Sequence, residues 1–366
     1  MKVAQVCHVY LPHLGGLEYF VDRLHESLKK KGVISEIVTT DMKTPLEGRK
    51  SNAIYYKSLI SYMGNPFSLA LMNHFKKNRY DLIILHQIWF IPSFEALSFK
   101  KNAKTITVVH GVYPDKATKK QKFLLWLYKP IAKYVLKKSD HIIVQSNSEK
   151  DKLLKIFKIN KNKVNVIYNG TVLEKNREKI ESKERVILFT GRIIPDKNPD
   201  LLIKAGVLLS NKKYDFKIKF IGTIEDNYKE ELIKLANNLG IKDKVMFIPN
   251  IPKERRNELM KEYASAFTSV AVGSWEGLPN RLMEAMQFGV PCVAYNSGGT
   301  AELVKDGETG LLIKNLDEKE LASKIEFLMK NSNLYRELGK NAKKIVRESF
   351  DWDKNFKKIS ILHERK

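Results

Sequence analysis

Cysteine is nearly absent: Cys7 and Cys292 are the two in 366 residues. That is too few for a disulfide framework or a four-cysteine zinc site. Both sit in apolar runs that read as buried strands of a cytosolic protein. Long apolar stretches are missing too. The longest unbroken run, Phe123–Tyr128, falls far short of the ~20 residues that cross a bilayer. Met1–Val6 reads as a strand and not as the apolar core of a signal peptide, so export is not expected. No His/Cys/Asp cluster has metal-ligand spacing, and no metal is expected. No G-x-G-x-x-G fingerprint follows the first strand, so a dinucleotide cofactor is not indicated. Short-period repeats and low-complexity tracts are also lacking.

Acidic residues are scarce relative to basic ones, 41 against 65, for a net charge of +24. The imbalance is uneven. Residues 1–180 carry 32 basic and 14 acidic side chains, and residues 181–366 carry 33 and 27. Such asymmetry bears on partners and not on fold. With 43% apolar residues the chain has enough core-forming side chains to fold, and its length fits two domains.

Short β-rich runs alternate with longer helical patterns. Val3–Val9, Ile37–Thr40, Leu82–Leu85, Thr105–Val109, Ile142–Gln145 and Val164–Ile167 read as strands. Between the first two, Leu17–Lys30 places Phe20, Leu24 and Leu28 on one helical face. Continuously apolar strands imply a parallel sheet covered on both sides. The pattern breaks at Glu174–Arg185, a charged stretch that reads as an exposed interdomain linker. A second series follows at Val186–Thr190, Phe216–Ile221, Val245–Ile248, Phe267–Val272 and Val290–Ala294. The expected class is α/β, with two doubly wound parallel-sheet domains and ligands bound at the carboxyl ends of strands in the cleft between them.

Three stretches carry chemistry. In the first βα turn, Gly15-Gly16 at a helix start lets backbone approach an anion, although a turn needed only for packing reads the same way. In the second domain Arg192 and Lys197 follow a strand and can converge on a diphosphate, one as a fork and one as a point charge. The most specific stretch runs from Ser274 to Pro291. Glu276 precedes a helix and Glu284 lies within it, ~10 Å apart along the axis. That spacing is too wide for a shared-proton dyad and suits the two ends of an elongated ligand. The amides of Gly277 and Leu278 lie at the helix start, where phosphate is favoured. Glu284 is flanked by Leu282, Met283, Ala285 and Met286, and a carboxylate in that setting needs a partner.

The stretch from Glu276 to Pro291 resembles the Glu-x7-Glu signature of retaining glycosyltransferases of family 4, also called glycosyl transferases group 1. Further matches occur in order: Gly15-Gly16, Val109-His110, Val144-Gln145-Ser146, Ile167-Tyr168-Asn169-Gly170, Thr190-Gly191-Arg192 with Lys197, Asn296–Val304 and Asp306–Leu312. The resemblance spans nearly the whole chain. It implies the GT-B fold, two Rossmann-like domains flanking a cleft. The first would cover residues 1–171 with a helix at 352–366 crossing back, and the second, residues 172–351, would bind the nucleotide sugar. By the same resemblance Glu284 would bond the ribose hydroxyls, while Arg192 and Lys197 would grip the diphosphate without metal, aided by the amides of Gly277 and Leu278. Glu276 would bind hydroxyls of the donor sugar and His110 would lie against that sugar. Gly16, after Gly15, would approach the donor phosphate or the acceptor, and backbone around Pro249–Ile251 would meet the base. The anomeric configuration would be retained, and no cofactor is implied beyond a UDP- or GDP-sugar donor.

The chain departs from the family where Gly111 follows His110 and at Ile221–Glu225, which leaves the contacts around Gly222 open. His13 is a candidate for acceptor contact. His8 and His86, also near strand ends, read more simply as packed residues. Lys101–Lys138 holds ten lysines and one acid, and within it Lys119–Lys138 interleaves aromatic, aliphatic and basic residues. That suits a helix in an anionic membrane interface, bent at Pro130, or an ordinary sheet-covering helix with lysines in water. The expected activity is transfer of a sugar to a glycan or lipid-linked saccharide by a peripheral protein on the cytoplasmic face of the plasma membrane. The alternatives are a sugar-nucleotide epimerase of the same fold and a non-catalytic protein that binds membranes or nucleic acid. No nucleic-acid motif accompanies the charge, so nucleic acid is not an expected partner.

Overall fold

The computed structural model describes all residues except 13–14, 43, 45, 63, 113–118, 175–177, 275 and 363–366. His13 therefore lies outside the described residues. The chain divides into two compact units, Met1–Tyr168 with Asn355–Lys366, and Asn169–Lys354. The expected boundaries, 171/172 and 351/352, lie three residues from these.

The first unit holds strands β1 (Lys2–Val6), β2 (Ile34–Thr40), β3 (Ala53–Tyr56), β4 (Ile60–Tyr62), β5 (Asn65–Phe67), β6 (Leu82–His86), β7 (Lys104–Val109), β8 (His141–Val144) and β9 (Val164–Val166). Its helices are α1 (Gly16–Lys30), α2 (Leu69–Lys77), α3 (Ile91–Phe99), α4 (Lys119–Lys138) and α5 (Asn147–Phe157). Seven strands form one parallel sheet in the order β3-β2-β1-β6-β7-β8-β9, while β4 and β5 form a separate antiparallel hairpin. The order reverses between β1 and β6, which is where doubly wound sheets open a crevice. The strands are Val/Ile/Leu-rich and buried on both faces, as parallel sheets require. Helix α1 buries Phe20, Val21, Leu24 and Leu28. Ser146 caps α5 by accepting from the Glu149 amide.

The second unit repeats the plan with β10 (Val186–Thr190), β11 (Lys217–Gly222), β12 (Val245–Pro249), β13 (Thr268–Ala271), β14 (Cys292–Tyr295) and β15 (Gly310–Ile313). Its helices are α6 (Pro199–Asn211), α7 (Asp226–Asn238), α8 (Arg256–Ser265), α9 (Asn280–Met286), α10 (Thr300–Leu303), α11 (Glu318–Lys330) and α12 (Ser332–Ser349). The parallel sheet runs β12-β11-β10-β13-β14-β15, the Rossmann order, with its switch point between β10 and β13. Ile187, Phe189, Phe216 and Phe220 lead its core. Helix α13 (Trp352–Leu362) follows α12. Its Phe356 and Ile359 are each 4% exposed, and Phe356 lies beneath the ammonium of Lys31, the C-cap of α1, at 4.9 Å.

Two features were not anticipated. The edge strand β3, the β4–β5 hairpin and β15 are short or poor in the alternation that marks a strand. The charged stretch after Glu174 belongs to the second unit and is tied to it. Lys179 lies over the Tyr335 ring at 4.2 Å, the Ile180 amide donates to Ala264 O at 2.9 Å, and Glu178 pairs with Lys343. It follows the crossing at 168/169 and does not form it. Helix α4 covers the expected Lys119–Lys138 span, with Pro130 inside it.

Candidate active site

The switch point of the second unit gathers most of the expected site. The loop after β10 carries Arg192 and then a 3-10 turn, Pro195–Lys197. The loop after β13 carries Gly273 to Pro279. Two contacts pin these loops together: Asn198 Nδ2 donates to Val272 O at 2.7 Å, and the Ser274 amide donates to Asp196 O at 3.0 Å. Lys197 Nζ is thereby brought 2.8 Å from Glu276 Oε1, and the Arg281 guanidinium pairs with the same oxygen. A Cβ at Gly273 would stand 2.5 Å from Glu276 Oε1 and 2.9 Å from Lys197 Cδ, so only glycine admits this approach.

Glu276 is 7% exposed. Burial alone would raise its carboxyl, but Arg281 and Lys197 overcome that and hold it below the usual carboxylate range. Burial lowers the Lys197 ammonium, Glu276 opposes the shift, and Arg281 and Arg192 reinforce it. Arg192 is exposed and makes no ion pair among the described residues. The cluster is an ionised, immobilised carboxylate with two cations on it and a third, unengaged cation nearby. A carboxylate so held is a poor nucleophile and a good acceptor for hydroxyl groups.

Gly277 and Leu278 precede α9 by two residues and more, and among the described residues their amides make no hydrogen bond. Gly277 O is held by the Gly299 amide at 2.7 Å. Glu284 sits on α9, 9% exposed. Its Oε1 takes Arg256 Nη1 at 3.0 Å, and its carboxylate faces the hydroxyl of Tyr263, which bonds Thr190 Oγ1 at 2.7 Å. Ile251 lies in the loop between β12 and α8, partly buried.

Gly15, Gly16 and His110 belong to the first unit. Gly15 caps α1 in extended backbone, and Gly16 opens the helix with free space where a side chain would be. The buried carboxylate of Glu18 folds back over Gly15, placing a negative charge where the helix dipole favours one. His110 follows β7. Gln145 Nε2 donates to its Nδ1 at 3.1 Å, its Nε2 meets His86 Nδ1 at 3.2 Å, and His86 Nε2 meets Gln5 Oε1 at 3.0 Å. With the amides so oriented, each imidazole carries its proton on Nε2 and donates along the row. Loss of hydration lowers His86 and pushes His110 down to about 3, so both are neutral. Both ring nitrogens of His110 are thus engaged within the protein.

The expected residues fall into two groups, Arg192, Lys197, Glu276, Gly277, Leu278, Glu284 and Ile251 in one unit, Gly15, Gly16 and His110 in the other. Arg281, Arg256 and Tyr263, the partners of the two glutamates, were missed. Arg281 is five residues from Glu276 and was in principle visible. Arg256 is brought in by α8 packing on α9. Among the described residues no group of three or more His, Cys, Asp or Glu could hold a metal ion. Cavities of about 270 Å³, beside Glu174 and Gln287, and about 530 Å³, beside His25 and Asn52, contain no member of the Lys197–Glu276 cluster.

Two doubly wound units, one bearing a cation-held carboxylate at its switch point beside amides left unbonded among the described residues, fit the GT-B fold of sugar-transferring enzymes. The model for glycosyl transferases group 1 matches residues 172–345 and that for glycosyltransferase family 4 matches residues 14–175. The chain belongs to this family of glycosyltransferases. It is 29% identical to an uncharacterized glycosyltransferase of Methanocaldococcus jannaschii, over 97% of this chain and 96% of that one. Among solved structures, sucrose-phosphate synthase of Thermosynechococcus elongatus superposes with a TM-score of 0.80 at 20% identity, covering 99% and 98% of the two chains. HepE of Anabaena, solved in complex with UDP-glucose, superposes with a TM-score of 0.75 at 19% identity, covering 98% of each.

Proposed function

We propose that this glycosyltransferase is retaining and metal-independent, and that it moves a sugar from a nucleotide-diphosphate sugar to a glycan or lipid-linked saccharide at the cytoplasmic membrane face. The observation that carries the donor reading is the cluster of Lys197, Glu276 and Arg281 beside Arg192 and the amides of Gly277 and Leu278. Arg192 and Lys197 would receive the diphosphate, and the two amides would complete the grip. As the bond from anomeric carbon to phosphate oxygen lengthens, charge builds on that oxygen, and fixed cations stabilise it without reorganising. Glu276 would hold donor hydroxyls and Glu284 the ribose, with the base against backbone near Ile251. The two cations on Glu276 make it an acceptor and not a nucleophile, so a front-side path fits, in which the departing phosphate takes the acceptor proton. UDP-glucose in the HepE complex supports the donor class.

The membrane reading rests on α4. Phe123, Trp126 and Leu127 are 58%, 68% and 46% exposed, and Lys122, Lys129 and Lys133 on the same helix are exposed as well. Exposed aromatics among lysines suit an anionic interface. Among the described residues no helix is long and apolar enough to cross a membrane. This reading places the protein peripherally on the cytoplasmic face.

A thermal-shift panel of UDP- and GDP-sugars with EDTA present tests the donor reading. The cognate compound at 100 times its Kd should add about 2.7 kcal/mol, and Arg192→Ala should abolish turnover while Glu284→Ala weakens nucleotide binding. No shift with any sugar nucleotide would refute it. Stereochemistry is read from the anomeric proton coupling of the first product formed.

A further inference from the structure

The Glu284 carboxylate does not stand alone. Arg256, the first residue of α8, places Nη1 3.0 Å from Glu284 Oε1 and Nε 3.8 Å from Glu174 Oε1. Glu174 is itself fixed, since its amide donates to Gln287 Oε1 at 2.9 Å and Gln287 ends α9. The third guanidinium nitrogen, Nη2, is buried with no hydrogen-bond partner among the described residues. Buried donors without partners are rare and costly. This one lies on the arginine that grips the carboxylate expected to hold a ribose, on the helix that follows the Pro249–Ile251 loop.

We propose that Arg256 is a ribose-recognition residue, in which Nη2 donates to a ribose hydroxyl that in turn donates to Glu284. This rests on the donor-site reading above. A vicinal diol is matched to such a pair, because each hydroxyl both donates and accepts. Arg256 takes one direction of each bond and Glu284 the other. Its charge also cancels that of Glu284. An uncompensated carboxylate near the diphosphate would repel it. Arg256 is not a phosphate anchor, because two carboxylates already share its charge and the phosphate cations lie on the β10 loop.

The test uses the full chain and isothermal titration with UDP and GDP. The tighter ligand is then compared with its 2′-deoxy counterpart. The wild type should prefer the ribose form about tenfold or more. Arg256→Met should lose at least tenfold in affinity for the ribose form and under threefold for the deoxy form, so the preference collapses. Arg256→Lys, which restores a donor and the charge, should recover part of it and guards against loss of fold. An Arg256→Met protein with unchanged affinity for the ribose form would overturn the proposal. So would equal losses for both forms, which would make Arg256 structural only. A wild type that binds neither UDP nor GDP would instead overturn the donor-site reading, a failure visible without any variant.

Discussion

Gly298 offers a perturbation whose size can be taken from the structure. It lies in the turn after β14 at φ +53°, and a Cβ there would stand 1.9 Å from the Glu276 carbonyl oxygen and 3.0 Å from its carbon. Its neighbour Gly299 holds Gly277 O. Gly298→Ala must therefore push the backbone of Glu276 away by about 1 Å or more. Glu276 and Gly277 are the residues assigned to donor sugar and diphosphate, and a misplacement of about 1 Å at such a site costs ~10²-fold in rate. A second glycine separates displacement from conformational strain. Gly307 has φ +75° and nothing within 4 Å of an added Cβ. Both alanine variants bear the left-handed cost of ~1–2 kcal/mol, a fall of roughly 2–8 °C in Tm for a unit of this size. Only Gly298→Ala should also lose about 10²-fold in kcat/KM, measured by release of nucleoside diphosphate from the sugar nucleotide. Equal activity in the two variants, whether both impaired or both intact, would show that the 298–299 turn does not set the position of Glu276.

Glu276→Gln leaves Lys197 and Arg281 facing each other in a buried site, and should cost ~3–5 kcal/mol of stability as well as activity; a Tm equal to wild type would contradict the ion-pair geometry. Arg192→Ala removes an exposed cation with no ion pair among the described residues, so turnover should vanish while Tm stays within about 1 °C of wild type, within the usual range for surface changes. Unfolded histidine titrates near pH 6.5, whereas His86 lies well below this and His110 lies at about 3 in the fold. The unfolded chain then binds more protons, and stability is lost as pH falls from about 6.5 toward 3. Each histidine contributes up to ~1.4 kcal/mol per pH unit. Glu95, pushed up to about 7 by burial, opposes this by one group, so urea midpoints should still fall between pH 6.5 and 5, and a flat profile would refute the neutral pair. Phe123→Glu with Trp126→Glu should abolish flotation with anionic liposomes while leaving Tm unchanged; flotation undiminished in the double variant would remove α4 from the membrane reading.

Much of the architecture was legible because a buried parallel strand advertises itself as an unbroken Val/Ile/Leu run. Val186–Thr190 was placed to the residue for that reason. β3 and the β4–β5 hairpin were not, because Tyr55, Tyr56, Ser61 and Asn65 are polar or amphipathic and the segments span only three or four residues. The charged stretch after Glu174 looked like a linker because hydropathy does not report cation–π contact, and Lys179 on Tyr335 is held by one. At the site, the glutamates and the β10 loop were readable from local order, and so in principle was Arg281, but the partners of Glu284 were not. Arg256 reaches Glu284 only because α8 packs on α9. His86 meets His110 because β6 and β7 are neighbours in register, with His86 opposite Val108. Such pairings are properties of strand order and helix contact, which no local pattern contains.

Residues from Asn355 on belong to the unit that the first 168 residues build, and this sets an order of events during synthesis. At roughly 5–20 residues per second, about 10 to 40 s pass between completion of Tyr168 and arrival of Phe356. For that interval the first sheet exists on the ribosome without α13, with Lys31 and its neighbours uncovered. The second unit, contiguous from Asn169 to Lys354, can finish folding before the unit that precedes it.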